Sequence, residues 1–399
     1  MSRRSSLSTD PFYLINTSAN IANQTRTSPH RAWAEINLSH LRHNVSEIKR
    51  IIPGSCGIIA VVKANAYGHG AVEIARCLNG IGITRFAVAE INEAILLRER
   101  GVYGDILILG YTAPERAPEL ARYKLTQTIV NLEHAESLES RGIHLDVHIK
   151  IDTGMNRLGE PSENLESIRR CYQFAHLRVT GTFSHLAESP GLSREEIHFT
   201  NLQVKKFNRV IDTLKASGLD PGLVHIQSSY GILNYPGLNY DLVRPGIALY
   251  GLLSSEEDRV TVQINLRPVL SLKASVTQVK EVPARAHIGY GHAFIAPSKM
   301  KIAVISLGYA DGIPRTLSEQ GGYVLIRGQR AAIIGGICMD QFMVDVTSIT
   351  DVGQGDTATI IGQDGKEVIT AGQIARRCGT VTNEILSRLG DRVERVYNT

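Results

Sequence analysis

The chain is expected to fold as an α/β protein, an eight-stranded parallel (β/α)8 barrel followed by a mostly β domain. Two observations carry this. Between residues 57 and 254, eight short apolar runs alternate with helical patterns, and that many strand–helix units close into a barrel. After residue 266 the apolar period changes to two, with Gly and Asp turns between short runs. An open doubly wound sheet is the alternative for the first part, but it rarely needs eight units. The expected boundaries are a poorly ordered extension over 1–30, the barrel over 31–265 and the β domain over 266–399.

The elements follow in order. Residues 1–30 are rich in Ser, Thr, Asn and Arg, and their one apolar patch, Phe12 to Ile15, is too short for a secretory leader. Residues 33–38 read as a strand and 41–51 as a helix; sequence does not say which domain that first strand joins. The eight runs are 58–62, 86–89, 106–109, 126–130, 147–151, 179–183, 223–226 and 240–243. Segments such as 70–78, 92–100, 132–140 and 195–216 place apolar residues at three- and four-residue spacing, as one face of a helix requires. In the second part, strands are expected at 272–280, 302–307, 323–327, 332–334, 343–346 and 357–361, with one helix near 371–378.

Composition narrows the function classes. With 399 residues the chain can bury a large core in two domains. A formal charge of +4 is small for that length, and no basic run is interleaved with aromatics, so nucleic acid is not indicated. No apolar stretch approaches membrane-spanning length. Five scattered cysteines without a Cys-x-x-Cys pair suggest neither zinc nor a disulfide framework. A cytoplasmic, reducing location is the expectation.

The densest chemistry lies at Ala60-Val61-Val62-Lys63-Ala64-Asn65-Ala66-Tyr67-Gly68-His69-Gly70. An apolar run ends in a lysine, and a glycine-rich turn follows. Burying that charge is costly, and desolvation lowers an amine's pKa and makes it nucleophilic. The bland alternative is a lysine that snorkels to solvent. Other candidates follow later runs: Asp152 to Arg157 the fifth, His185 the sixth, Ser228 the seventh and Arg244 the eighth. All would fall at the C-terminal ends of the strands, where barrels of this kind hold their active sites.

The Lys63 segment resembles the pyridoxal 5′-phosphate (PLP) attachment site of alanine racemases. Four further segments resemble that family in the same order: Lys150-Ile151-Asp152-Thr153-Gly154-Met155-Asn156-Arg157-Leu158-Gly159, Arg244-Pro245-Gly246-Ile247, Gly308-Tyr309-Ala310-Asp311-Gly312 and Ile337-Cys338-Met339-Asp340-Gln341. The resemblance runs from about Ala32 to the C-terminus. It implies an isomerase that interconverts L- and D-alanine, with possible serine activity, and supplies D-alanine for cell-wall peptidoglycan. It also implies a homodimer with shared active sites.

By the same resemblance, Lys63 holds PLP covalently and serves one face of the substrate. Tyr290, from the other subunit, serves the opposite face in a two-base mechanism. Tyr67, Ser228, Gly246 and Ile247 would bind the phosphate, Arg244 would face the pyridine nitrogen, and His185 would link Tyr290 to Arg244. Arg157 would lie near the phenolic oxygen and the substrate carboxylate, supported by Lys150, which is often carbamylated in the family. Met339 would offer a backbone group to the substrate carboxylate, and Asp340 and Tyr309 would line the same entrance.

The chain departs from the family pattern in places. Gln227 stands where Asn is usual, and Gly336 replaces a common Arg. Asp391 aligns with a tyrosine beside the substrate methyl group. A carboxylate there favours serine as a second substrate; alternatively Asp391 faces solvent or pairs with Arg392 or Arg388. Two other classes compete. A PLP-dependent decarboxylase shares the architecture but lacks the Tyr290 and Met339-Asp340-Gln341 pairing. A PLP-binding homeostasis protein is a lone barrel.

Overall fold

The computed structural model describes residues 30–399. The expected extension therefore lies, apart from His30, outside the described residues.

Eight parallel strands form a closed barrel. The first is broken at Ile59 into Gly57–Ile58 and Ala60–Val61; the others are Arg85–Val88, Asp105–Ile108, Thr126–Ile129, Leu145–Asp152, Leu177–Phe183, Leu223–Ser228 and Leu242–Arg244. Closure runs through that break. Gly57 lies opposite Leu242, whereas Ala60 lies opposite Phe86. The Ile59 N–H donates to Val243 O at 2.8 Å, and the Val62 N–H to Ala87 O at 2.9 Å. An open sheet would leave these edge groups without such partners, so the alternative architecture is excluded. Both faces of each strand are covered, which is why the runs are continuously apolar rather than alternating.

The helices begin and end on local chemistry. Arg194–Ala216 starts at a capping box in which Ser193 and Glu196 each accept from the other's backbone N–H. Asn131 caps Leu132–Glu139 in a simpler way, its side chain accepting from the His134 N–H.

The second domain is a ring of six antiparallel strands: Leu270–Val282, Met300–Ile305, Phe342–Asp345, Gln329–Ile334, Tyr323–Ile326 and Thr357–Asp364, the last pairing back onto the first. The expected first strand is Ala32–Asn37. It lies outside the barrel, antiparallel to Leu270–Val282 and parallel to a final strand, Glu394–Asn398. Both ends of the described chain thus extend the second sheet. That final strand and a six-residue helix, Thr382–Ser387, were not anticipated. The strand is short and carries charge, and one and a half helical turns are too few for a period to register.

Candidate active site

The residues singled out by the motifs gather around two cavities. The first, of about 400 Å³, opens at the C-terminal ends of the barrel strands. Its walls include Lys63, Tyr67, Lys150, Arg157, His185, Ser228, Arg244, Gly246 and Ile247. The second, of about 610 Å³, lies on the β domain and includes Tyr290, Tyr309, Met339 and Asp340. Asp391 lines neither cavity and is exposed.

Lys63 opens a strained turn. Ala64, Asn65, Ala66 and Tyr67 all have φ between 51° and 55°. A left-handed turn costs L-residues roughly 1–2 kcal/mol each, so the surroundings must hold it. The Glu93 carboxylate does so from outside, accepting from the Ala64 N–H at 2.6 Å and the Ala89 N–H at 2.7 Å. Asn65 Oδ1 accepts from the Ala71 N–H at 2.8 Å, tying the turn to the next helix. Gly68 has φ +82°, and a Cβ there would collide with the Leu386 carbonyl, because the Thr382–Ser387 helix packs on this turn. Sequence reasoning missed Glu93. Side-chain clamps on a distant backbone leave no local pattern.

Burial pushes the Lys63 pKa below its usual value, and the nearby Arg157 charge adds to the shift; Glu93 opposes it. The amine is thereby made a better nucleophile. Lys150 is driven down further, by burial and then by Arg244. Its Nζ lies 5.1 Å from the centre of the Phe183 ring and donates to Ile151 O at 3.2 Å. Asp152 organises the loop that carries Arg157, accepting from the Gly154, Met155 and Asn156 N–H groups at 2.8, 3.0 and 3.2 Å.

Arg244 is buried among neutral acceptors. Its Nη2 donates to Ser184 O at 2.7 Å, Ile226 O at 3.0 Å and His185 Nδ1 at 3.2 Å; Nη1 donates to His225 Nδ1 at 2.5 Å. Burial lowers its pKa to about 9, which still leaves it charged at neutral pH. Burial and the Arg244 charge hold both histidines well below their ordinary range, so they are neutral. Since arginine only donates, Nδ1 of each must accept, and the ring proton sits on Nε2.

The opposite wall is suited to an anion. Tyr67 is pushed up to about 12 by burial and stays a phenol able to donate. A Cβ on Gly246 would sit 2.6 Å from the Tyr67 hydroxyl, so only glycine admits that phenol. The Gly246 N–H already donates to Ser229 Oγ at 2.9 Å. Ser228 and Ile247 face the same space, with Ile247 starting the short turn Ile247–Tyr250. Asn383, also unanticipated, lines the cavity with its Oδ1 buried and unpartnered.

Tyr290 is 80% exposed and Met339 53%. Asp311 braces this second cluster from beneath. Fully buried, it accepts from both terminal nitrogens of Arg31 at 2.8 Å and from the Gly308 N–H at 2.7 Å. Arg392 pairs with Asp340 at 2.7 Å and lies 3.2 Å from Asp311. Its partners are therefore not Asp391.

Comparisons with known proteins agree with this architecture. Residues 36–254 match the alanine racemase N-terminal domain and 269–397 the alanine racemase C-terminal domain. An amino-acid racemase of Enterococcus faecalis is 44% identical over 91% of this chain and 51% of its own length. An alanine racemase of Carboxydothermus hydrogenoformans is 43% identical over 92% of this chain and 99% of its own. A serine/alanine racemase of Enterococcus gallinarum is 41% identical over 91% and 51%. The chain thus spans about half the length of the two Enterococcus relatives. The crystal structure of alanine racemase from Bacillus anthracis with bound L-Ala-P superposes with a TM-score of 0.87 at 33% identity, covering 93% of this chain and 95% of that one.

Proposed function

The chain belongs to the alanine racemase family, which generally uses PLP, and we propose that it interconverts L- and D-alanine with PLP held at the barrel mouth. One observation carries the reading. A half-buried lysine of lowered pKa shares one cavity with a charged arginine and an anion-suited wall. Those are the groups that an aldehyde, a pyridine nitrogen and a phosphate require.

Ser228, Ile247 and Tyr67 would bind the phosphate, and Lys63 the aldehyde carbon. Bound PLP would supply the electron sink that acidifies the substrate α-hydrogen. Arg244 can only donate, so it keeps a facing ring nitrogen as an acceptor and restrains electron withdrawal, which disfavours transamination. Lys63 Nζ would take or return a proton on one face of the α-carbon. Tyr290 of a second copy would do so on the other, its phenolate stabilised by the His185 Nε2–H. Arg157 would hold the substrate carboxylate, braced by a carbamylated Lys150; the neutral amine needed for carbamylation is consistent with that residue's lowered pKa. The Met339 backbone would add a contact to the same carboxylate, with Tyr309 and Asp340 along the approach.

We further propose a cytoplasmic homodimer that supplies D-alanine for peptidoglycan. Among the described residues, no helix is long and apolar enough to cross a membrane.

Incubating the PLP-supplemented protein with L-alanine and resolving the products tests the reading. D-alanine without CO2 is expected. CO2 without D-alanine would transfer the chain to the decarboxylase class.

A further inference from the structure

A second polar path leads away from Arg244, through the barrel interior. His225 accepts from Arg244 at Nδ1, so its proton is on Nε2, which lies 3.0 Å from His148 Nδ1. His148 must accept there, and its own proton is forced onto Nε2. Each tautomer is dictated by its neighbour, starting from the one residue that only donates.

The fold makes room for this arrangement. A Cβ on Gly181 would lie 2.6 Å from His148 Cε1 and 2.7 Å from Nε2. The φ of Gly181 is not in the left-handed region, so backbone conformation does not call for glycine here; the imidazole does, together with the Leu223 carbonyl oxygen, which a Cβ would meet at 2.8 Å. Phe183 stacks on His225 at 4.8 Å and 7°, fixing the ring plane on which the chain depends. His148 itself lines a cavity of about 160 Å³ at the N-terminal ends of the strands, on the face opposite the candidate active site. Arg85, Asp105, Asp146 and Arg178 also line it, paired as Arg85–Asp105 at 3.4 Å and Arg178–Asp146 at 2.5 Å. A cavity this polar is roomy enough to hold water.

We propose that His148 is a positioning residue. It accepts the His225 Nε2–H, strengthens His225 Nδ1 as an acceptor for Arg244, and connects that arginine to water at the bottom of the barrel. Donation at one nitrogen makes the other a better acceptor, because linked hydrogen bonds polarise one another. Among the described residues, Arg244 has no carboxylate as a hydrogen-bond partner, so the quality of its neutral acceptors governs where the guanidinium sits. The proposal rests on the racemase reading for its catalytic consequence, but not for the hydrogen-bond chain.

Ring ¹⁵N spectra of the histidine-labelled full chain test the chain of bonds directly. Both His148 and His225 are expected as Nε2–H tautomers. His148→Leu should shift the His225 Nδ1 resonance, and His148→Gln, whose amide oxygen can accept, should restore it towards the parent value. Gly181→Ala, which removes no polar atom, should reproduce the leucine effect. In alanine turnover, His148→Leu and Gly181→Ala should lower kcat by roughly 3- to 10-fold with little change in KM, as for one lost hydrogen bond, while His148→Gln stays near the parent. A Nδ1–H tautomer at His148, or equal kcat losses in the Leu and Gln variants, would overturn the proposal. Should the protein lack racemase activity, the spectra of the parent chain still decide the relay, and only the racemase reading fails.

Discussion

Lys63 is legible as reactive from sequence because an apolar strand ends on it and a glycine-rich turn follows. Its neighbours explain why the amine is a nucleophile: burial and Arg157 together disfavour the ammonium. Lys63→Ala should abolish the borohydride-reducible chromophore formed with PLP, read by absorbance and peptide mass; an adduct that persists would relocate the attachment. Asp391 marks the limit of residue-level reading. Sequence aligns it with a substrate-facing position, yet in the single chain it is exposed, and Arg392 is engaged by Asp340 and Asp311 instead. If a second copy encloses it, a carboxylate there would accept from a serine hydroxyl, and matched polar groups discriminate strongly. Asp391→Tyr should then reduce kcat/KM for serine more than for alanine. An unchanged ratio, or a parent without serine activity, would remove Asp391 from the pocket.

At the scale of elements, the eight barrel strands are readable because strands covered on both faces leave uninterrupted apolar runs. The turn after the first strand is not. Four consecutive non-glycine residues with positive φ run against every local preference, and what holds them comes from elsewhere in the chain. Glu93 is the main clamp, each carboxylate oxygen taking one backbone N–H. Glu93→Gln keeps one acceptor and turns the other into a donor facing an N–H. It should destabilise the protein by about 1–3 kcal/mol, seen as a lower denaturation midpoint, and weaken PLP retention on dialysis. Unchanged stability and retention would show that the turn holds without the clamp. Asp311 follows the same logic. Its motif is visible in sequence, but its partner Arg31 is 280 positions away.

The whole molecule presents two rings, each carrying some of the residues of the proposed site. The barrel mouth carries an amine, an arginine and an anion-suited wall, but Tyr290, Tyr309, Met339 and Asp340 line a separate cavity of the same chain. A residue as exposed as Tyr290, beside an exposed Met339, makes chemical sense when another surface covers it. The proposed twofold dimer would supply one: each copy's patch would cover the other's barrel mouth, and two equivalent sites would form. The expectation of a shared site comes from the family resemblance alone, since a motif by itself records order along a chain and not which copy a residue serves. Tyr290→Phe alone should cut racemisation by roughly 10²–10⁴-fold, as for a lost acid–base group. The most direct test of the account is complementation between inactive Lys63→Ala and Tyr290→Phe subunits, mixed under conditions where exchange is demonstrated. Half of the dimers should be hybrids, each with one intact site of two, so alanine racemisation should return to roughly a quarter of the parent level. Mixtures that exchange subunits and remain inactive would contradict a site shared between two copies.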